Sequence, residues 1–347
     1  MNKAEKIAQF DPNGPGQKDS NLFGLPFDAV ESDIVILPVP WEVTVSYRRG
    51  AADGPAAIME ASMQVDLYDS DYPSCWKQGI YMLPIDKQLQ NQSAELRDRA
   101  EHHINSLSSG IDEDQDNEVL ETINAACEQM NEWVEDQTSK LLNQGKLVGL
   151  LGGDHSTPLG FFKALSKRYP NFGILQLDAH MDLRNAFEGF TYSHASIMYN
   201  ALKLPQISKL VQVGIRDYCE EELDLVKSSS TRVVTFFDED LKNERYEGVT
   251  WQSQVQKIVS VLPDFVYISF DIDGLDPKLC PNTGTPVAGG MEYHEAVYLL
   301  RELARSGKKI IGFDLNEVAP GSDEWDANVG ARLLFKLCAF MSIANKR

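Results

Sequence analysis

Seven short runs of this chain are β-branched and mostly apolar on both alternating faces. They are Asp33 to Val39, Lys146 to Leu151, Gly173 to Leu177, Lys209 to Val213, Arg232 to Phe237, Phe265 to Phe270 and Lys309 to Asp314. A strand with one wet face alternates apolar and polar residues, whereas a strand covered by helices on both sides does not. Helical stretches alternate with these runs: Gly54 to Val65, which starts with Pro55 near its first position, Glu118 to Gln144, Pro158 to Arg168, His194 to Leu202, Glu220 to Lys227, Gln252 to Val261, Tyr293 to Ser306 and Asn328 to Ala344. Strands alternating with helices imply right-handed βαβ crossovers. The expected fold is therefore α/β, three layers with a mostly parallel central sheet between helices.

A chain of 347 residues is within range of one large domain with insertions. Residues 1–31 read as an N-terminal extension packed on the body, and residues 32–347 as a single domain. A polar region at about 84–117 is assigned no element. The net charge of −20 argues against nucleic acid and anionic membranes, whose phosphates attract Lys and Arg. It favours solubility, and a cationic substrate at long range. Part of the charge is local: Asp112, Glu113, Asp114, Asp116, Glu118 and Glu121 read as a solvated loop and helix start. Five scattered cysteines without CxxC spacing fit a reducing compartment. The N-terminus has no apolar core of a signal peptide, and no stretch reads as the roughly 20 apolar residues that cross a bilayer. The expectation is a cytoplasmic protein.

Chemistry is concentrated where the apolar runs end. His155 follows Leu-Gly-Gly-Asp, while Asp178, His180 and Asp182 follow Leu-Gln-Leu, and Asp271 and Asp273 follow Tyr-Ile-Ser-Phe. In open parallel sheets ligands gather beyond the carboxyl ends of the strands. A buried carboxylate must be paired or metal-bound, since leaving it desolvated and alone costs roughly several kcal/mol. None of the six has a Lys or Arg among its fellows, which points to cations from outside. If the strands stay extended to their ends, residues two apart share a face, so Asp178, His180 and Asp182 converge, as do Asp271 and Asp273. Four carboxylates and two imidazoles form an oxygen-rich set that favours Mn²⁺ over Zn²⁺ or Mg²⁺, with Ni²⁺ or Co²⁺ also able to bind. Four Asp charges balance two divalent cations, and such pairs, typically ~3.5–4 Å apart, make water nucleophilic at neutral pH.

These segments resemble the ureohydrolases, the group of arginase, agmatinase, formiminoglutamase and guanidino-acid hydrolases. The resemblance runs from about Ile34 to Leu337. It is carried by Gly152-Gly153-Asp154-His155-Ser156, by Asp178-Ala179-His180-Met181-Asp182 and by the stretch from Ser269 to Pro277. Thr283-Gly284-Thr285-Pro286, Gly289-Gly290 and Asn316-Glu317-Val318-Ala319-Pro320 match further, as do Ser46 to Gly50 and Gly54-Pro55 upstream. The resemblance implies that Asp178 and Asp271 bridge two metal ions. His155 and Asp182 would complete one coordination sphere, His180 and Asp273 the other. It implies that Glu317 grips the guanidinium in a planar bidentate pair. His194 would shuttle protons to the departing amine, and Asp182 is grouped with these two as catalytic. Asp154 and Asp276 are expected behind the ligands, with Thr283, Gly284 and Thr285 in a loop beside them. Family members are commonly trimers or hexamers, so a homo-oligomer is expected.

The substrate is less determined than the chemistry. Arginases carry an Asn and a Ser-rich loop after the second metal stretch, where this chain has Leu183-Arg184-Asn185 and an acidic-aromatic-Gly run. Arginine is disfavoured on that ground. The pattern resembles one branch of agmatinases, departing at Ala195, Cys280 and Asn282. Formiminoglutamases share Asp-Leu-Arg, and Arg184, Arg48 or Arg49 could hold a substrate carboxylate, but they usually lack a His at position 194. Agmatine is the first expectation. Guanidinobutyrate, guanidine and formiminoglutamate are the alternatives. Arg184, Thr285, Glu188 and Tyr192 are the candidate substrate contacts, with Phe190 and Trp41 as further tail-pocket candidates. Two rival classes are weighed: a single-zinc deacetylase on a related sheet, against which the six-ligand set argues, and a non-catalytic homologue, against which intact Glu317 and His194 argue.

Overall fold

A computed structural model describes residues 1–16, 20–110 and 117–346. All seven expected strands are present: β1 (Ile34–Val39), β3 (Leu147–Gly152), β4 (Phe172–Leu177), β5 (Ile207–Ile215), β6 (Val233–Phe237), β7 (Phe265–Asp271) and β8 (Lys309–Asn316), joined by a short β2 (Ile80–Met82). They form one parallel sheet in the order β2-β1-β3-β8-β7-β4-β5-β6. Alternate residues of a strand feed two separate cores. Ile34 and Ile36 of β1, with Leu175 and Leu177 of β4, join one cluster; Val35, Leu37 and Val39, with Phe172 and Ile174, join the other. The doubly apolar pattern has this physical cause. Each fully buried Leu, Ile or Phe contributes about 1.5–3 kcal/mol relative to exposure.

The first core lies under α2 (Gly54–Ser62), α8 (Asp238–Tyr246), α9 (Trp251–Ser260), α10 (Tyr293–Arg305) and α11 (Trp325–Asn345). The second lies under α3 (Lys87–Ser108), α4 (Asn117–Asn143), α5 (Leu159–Ser166) and α6 (Ile197–Ala201). The helix α7 (Glu220–Ser228) follows β5, and α1 (Lys3–Gln9) opens the chain. Helix α11 passes the length and composition test for a membrane span, at mean hydropathy 1.3, which the sequence expectation overlooked. Some 78% of its most apolar stretch is buried inside the molecule, so it is a core helix.

The region at 84–117 departs most from expectation. It holds α3, capped by the Asp86 carboxylate, which accepts hydrogen bonds from Gln88 N and Leu89 N. Its buried stripe runs Leu89, Ser93, Leu96, Arg97, Ala100, His103 and Ile104, at helical spacing. Three of those seven are polar, which hides the period from a count of apolar residues. Residues 1–31 supply Leu22, Phe23, Leu25 and Phe27 to the first core. Of the acidic run, Glu118 and Glu121 are exposed on α4; Asp112, Glu113, Asp114 and Asp116 lie outside the described residues.

Candidate metal centre

Four adjacent strands, β3, β8, β7 and β4, end side by side; the expected ligands stand at the ends of β3, β7 and β4, and Glu317 at the end of β8. After β3 the chain makes a tight pass. A Cβ on Gly153 would lie 1.8 Å from the Trp41 carbonyl oxygen and one on Gly152 1.8 Å from Asn316 Oδ1. Only glycine fits there, and the pass delivers His155 to the sheet edge. Its Nδ1 lies 3.0 Å from Asp178 Oδ2, 3.1 Å from Asp182 Oδ2 and 3.2 Å from Asp271 Oδ2. A second group stands beside it: His180 Nδ1 is 3.0 Å from Asp273 Oδ2 and 3.6 Å from Asp178 Oδ1. Asp178 belongs to both groups, one oxygen to each.

Convergence comes about by a different route from the one expected. The strand β4 stops at Leu177, and Asp182 has φ 57°, in the left-handed region. Such a backbone costs a non-glycine residue of order 1–3 kcal/mol. It is held because the Asp182 carbonyl accepts from Met198 N and Tyr199 N. Asp271 likewise caps a tight turn, Ile272–Gly274, its Oδ1 accepting from Asp273 N at 2.9 Å. The strands therefore do not stay extended, and turns aim the later ligands.

The donor set fits cations on its own chemistry. The Ser269 hydroxyl donates to Asp314 Oδ1 at 3.1 Å, so towards His155 Nε2, 2.9 Å away, it accepts. The ring proton is therefore on Nε2, and the Nδ1 lone pair faces three carboxylate oxygens with no hydrogen bond of its own. Acceptors turned on one another in a buried site require a cation between them. Neighbouring ligands of an octahedral ion bonded at about 2.1 Å stand about 3 Å apart, which matches these spacings.

Without ions the cluster holds protons. Burial, then repulsion from Asp273 and Asp178, pushes the Asp271 carboxyl well up. Burial, then Asp178, raises Asp182 to about 7. For Glu317 burial leads again, followed by Asp271. Burial alone would raise Asp178, but contact with the His155 and His180 rings, positively charged when no ion is bound, outweighs it and holds that carboxylate below its usual range. Burial opposes charge on His155, yet its contacts with Asp178, Asp182 and Asp271 raise it well above normal. His180 rises for the same kind of reason, chiefly through Asp273.

Beyond the cage lies a pocket of about 180 Å³, and it brings together His155, His180, Asp182, Asp271, His194 and Glu317. Glu317 follows β8 with φ 62°, its Oε1 accepting from His155 N at 2.9 Å. The Thr283 hydroxyl donates to the Glu317 carbonyl at 2.9 Å, and Thr285 lines the pocket. His194 N donates to Thr44 Oγ1 at 3.1 Å. Burial, with the charges on His180 and His155, drives the His194 ring down to about 3 and so keeps it neutral.

Arg184 reaches the pocket wall, stacked 4.7 Å over the Phe187 ring. Glu188 and Tyr192 do not. Glu188 turns away at φ 54° with its carboxylate half-buried near Arg97 and His103, and the Tyr192 hydroxyl donates to Glu128 on α4 at 3.3 Å. Phe190 and Trp41 are fully buried in the second core. Of the expected arginines, Arg49 pairs with Asp98 and Glu101, and Arg48 donates to the Pro281 carbonyl. Ser46, from the upstream stretch that resembles the family's first substrate-side loop, lines the pocket; four wall residues were not foreseen: Phe187, Asp217, Tyr218 and Glu222. Three of them follow β5, where the strand-end rule applies equally. Glu222 is buried and accepts from Leu183 N and Cys219 N, both at 3.0 Å, tying that loop to the metal loop.

Comparison with known proteins agrees with this geometry. The chain is 30% identical over 322 residues to N(1)-aminopropylagmatine ureohydrolase of Synechocystis sp., covering 91% of this chain and 92% of the relative. It is 31% identical over 300 residues to agmatinase of Bacillus anthracis, covering 85% and 87%. Among solved structures, the agmatine ureohydrolase of Thermoplasma volcanium superposes with a TM-score of 0.70 at 23% identity, covering 98% of each chain. The arginase of Bacillus subtilis gives 0.65 at 22%, covering 90% and 99%. A family model for the arginase family matches residues 32–339, and the chain belongs to that family.

Proposed function

We propose that this ureohydrolase is a dinuclear-metal enzyme that cleaves a guanidino C–N bond and releases urea, with agmatine as substrate and putrescine as the amine product. The observation that carries the reading is one pocket holding both the lone-pair face of His155 and the Glu317 carboxylate. His155, Asp178, Asp182 and Asp271 would hold one ion, and Asp178, His180, Asp271 and Asp273 the other, most suitably Mn²⁺, with Ni²⁺ or Co²⁺ as substitutes. When bound, such ions lower the pKa of water and supply a nucleophile at neutral pH.

The remaining steps belong to the chain's own side chains. Glu317 receives the planar guanidinium; its raised proton affinity marks a carboxylate short of a cation, and the substrate brings one. The guanidinium carbon is thereby turned towards Asp182 and Asp271 on the pocket wall. A C–O bond forms to the carbon as water adds, and Asp182 takes a proton from it. As the C–N bond breaks, the proton held by Asp182 goes to the departing nitrogen and the new hydroxyl loses its own to become the urea carbonyl; neutral His194, across the pocket, picks up that second proton and passes it to the amine, which leaves as its ammonium. Urea and the amine leave.

Agmatine is supported by the relatives named for agmatine and aminopropylagmatine and by the carboxylates Asp217 and Glu222 on the wall, against the single cation Arg184. A second reading, formiminoglutamate with formamide release, draws on Arg184, which could hold a carboxylate. Guanidinobutyrate, guanidine and arginine complete the panel. Urea and formamide release should be measured across these substrates with Mn²⁺ and after chelation. Urea from agmatine alone supports the proposal; formamide from formiminoglutamate and no urea from any guanidine would overturn the substrate while keeping the hydrolase.

A further inference from the structure

Two glutamines stand between apolar neighbours within strands, Gln176 in β4 and Gln212 in β5, and both are fully buried. They are partners in the sheet register, and Gln212 is in turn the partner of Thr235 in the edge strand β6. The side chains make a continuous row. The Thr235 hydroxyl donates to Gln212 Oε1 at 2.8 Å, and Gln212 Nε2 donates to Gln176 Oε1 at 2.8 Å and to the Met181 carbonyl at 2.8 Å. Gln176 Nε2 then donates to Asp178 Oδ2 at 2.8 Å and to the His180 carbonyl at 3.2 Å.

The direction of this row is not free. A backbone carbonyl only accepts, so the Met181 carbonyl requires the NH₂ end of Gln212 and the His180 carbonyl that of Gln176. Both amides are pinned, and every donor points towards Asp178. Asp178 Oδ1 already accepts from His180 N at 2.6 Å. Each oxygen of the shared carboxylate thus takes one donor from the protein and keeps a lone pair for an ion. The same two amides hold the His180 and Met181 carbonyls, just ahead of the left-handed residue Asp182.

We infer that Gln212 and Thr235 are positioning residues that act through Gln176, and that this row presets Asp178 and the 178–182 loop for metal, so that its loss weakens metal binding before it alters substrate binding. The inference rests on the dinuclear-metal reading above. Partners behind a metal ligand typically contribute about 10–100-fold in affinity.

The test uses the full chain and Mn²⁺ as probe, with bound metal measured by dialysis at graded free Mn²⁺ and melting temperature followed with and without the ion. Gln176→Leu keeps volume and removes the donor; it should bind Mn²⁺ about 10–100-fold more weakly and show a smaller Mn²⁺-dependent rise in melting temperature, with KM for agmatine at saturating metal unchanged. Thr235→Val, at the half-buried edge strand, should show a smaller loss in the same direction, and Thr235→Ser should restore wild-type affinity. Should Gln176→Leu not fold, the Thr235 pair decides the matter. Wild-type Mn²⁺ affinity in folded Gln176→Leu, or in Thr235→Val, would overturn the row's role alone. A wild-type chain that takes up no Mn²⁺, Ni²⁺ or Co²⁺ would overturn the metal centre and the row with it.

Discussion

The floor and the mouth of the pocket are built on opposite terms. On the floor, every candidate ligand side chain except His180 is buried, all six leave β3, β4 or β7, and His155, Asp178, Asp271 and Asp273 are held by hydrogen bonds of their own. At the mouth, Asp217 and Tyr218 are exposed and Arg184 is held by one ring face and by Glu222 4.0 Å away. A reaction centre must hold its geometry closely, because small displacements are expensive in rate. The comparison separates a buried floor anchored at strand ends from an exposed mouth carried by loops.

The largest expected effect breaks the floor at its shared point. Asp178→Ala should abolish turnover and leave the protein without bound metal in elemental analysis; an active, metal-loaded variant would end the distinction between floor and mouth. His194→Ala comes next. It should lower kcat by about 100- to 10,000-fold, the usual range for a positioned acid–base group, with metal content unchanged, and a variant at full rate would reject the shuttle role.

The third prediction concerns pH and the floor alone. With ions removed, Asp182 titrates at about 7, and Asp271 and Glu317 lie well above their ordinary values. Asp154 and Asp314 are also raised by burial, to about 6. A carboxyl whose folded pKa exceeds its unfolded value binds more protons when folded, so stability falls as pH rises from the unfolded towards the folded value. His155 and His180, raised as well, lose their contribution in the same direction; depressed His194 opposes it only up to its ordinary value of 6.5, and depressed Asp178 acts only below its ordinary 3.8, outside this window. Chelated protein should therefore melt lower at pH 8 than at pH 6, whereas Mn²⁺, which displaces the protons, should reverse that order. Calorimetry at both pH values, with and without metal, checks it. A pH-independent melting temperature for the metal-free protein would show that the floor holds no extra protons.

The smallest effect sharpens the mouth. Arg184→Ala should leave kcat/KM for agmatine within about threefold, as for a substitution away from the reacting atoms, and should raise KM for guanidinobutyrate. A large loss on agmatine would mean that Arg184 serves the floor.

Much of this was legible from residue order. The doubly apolar runs foretold seven strands because burial on both faces is a local pattern, and six ligands at run ends foretold where charge would gather. Helix α3 was not legible, because Ser93, Arg97 and His103 interrupt its stripe and only packing reveals them as inward. Glu188 and Tyr192 looked like wall residues by their neighbourhood in sequence. Yet a left-handed turn and a bond to α4 carry them elsewhere. Asp217, Tyr218 and Glu222 were overlooked, though the end of an apolar run pointed to their loop.

Sequence by itself determined the sheet and which acidic and imidazole side chains stand at its carboxyl end, since hydrophobic period and charge are properties of residue type and spacing. Tertiary structure decided how the donors meet. Extended strands alone would not have brought Asp182 to His155; the left-handed turn at Asp182, the Asp271 cap and the amide row beneath Asp178 did. Such contacts join residues far apart in the chain, and no local pattern records them.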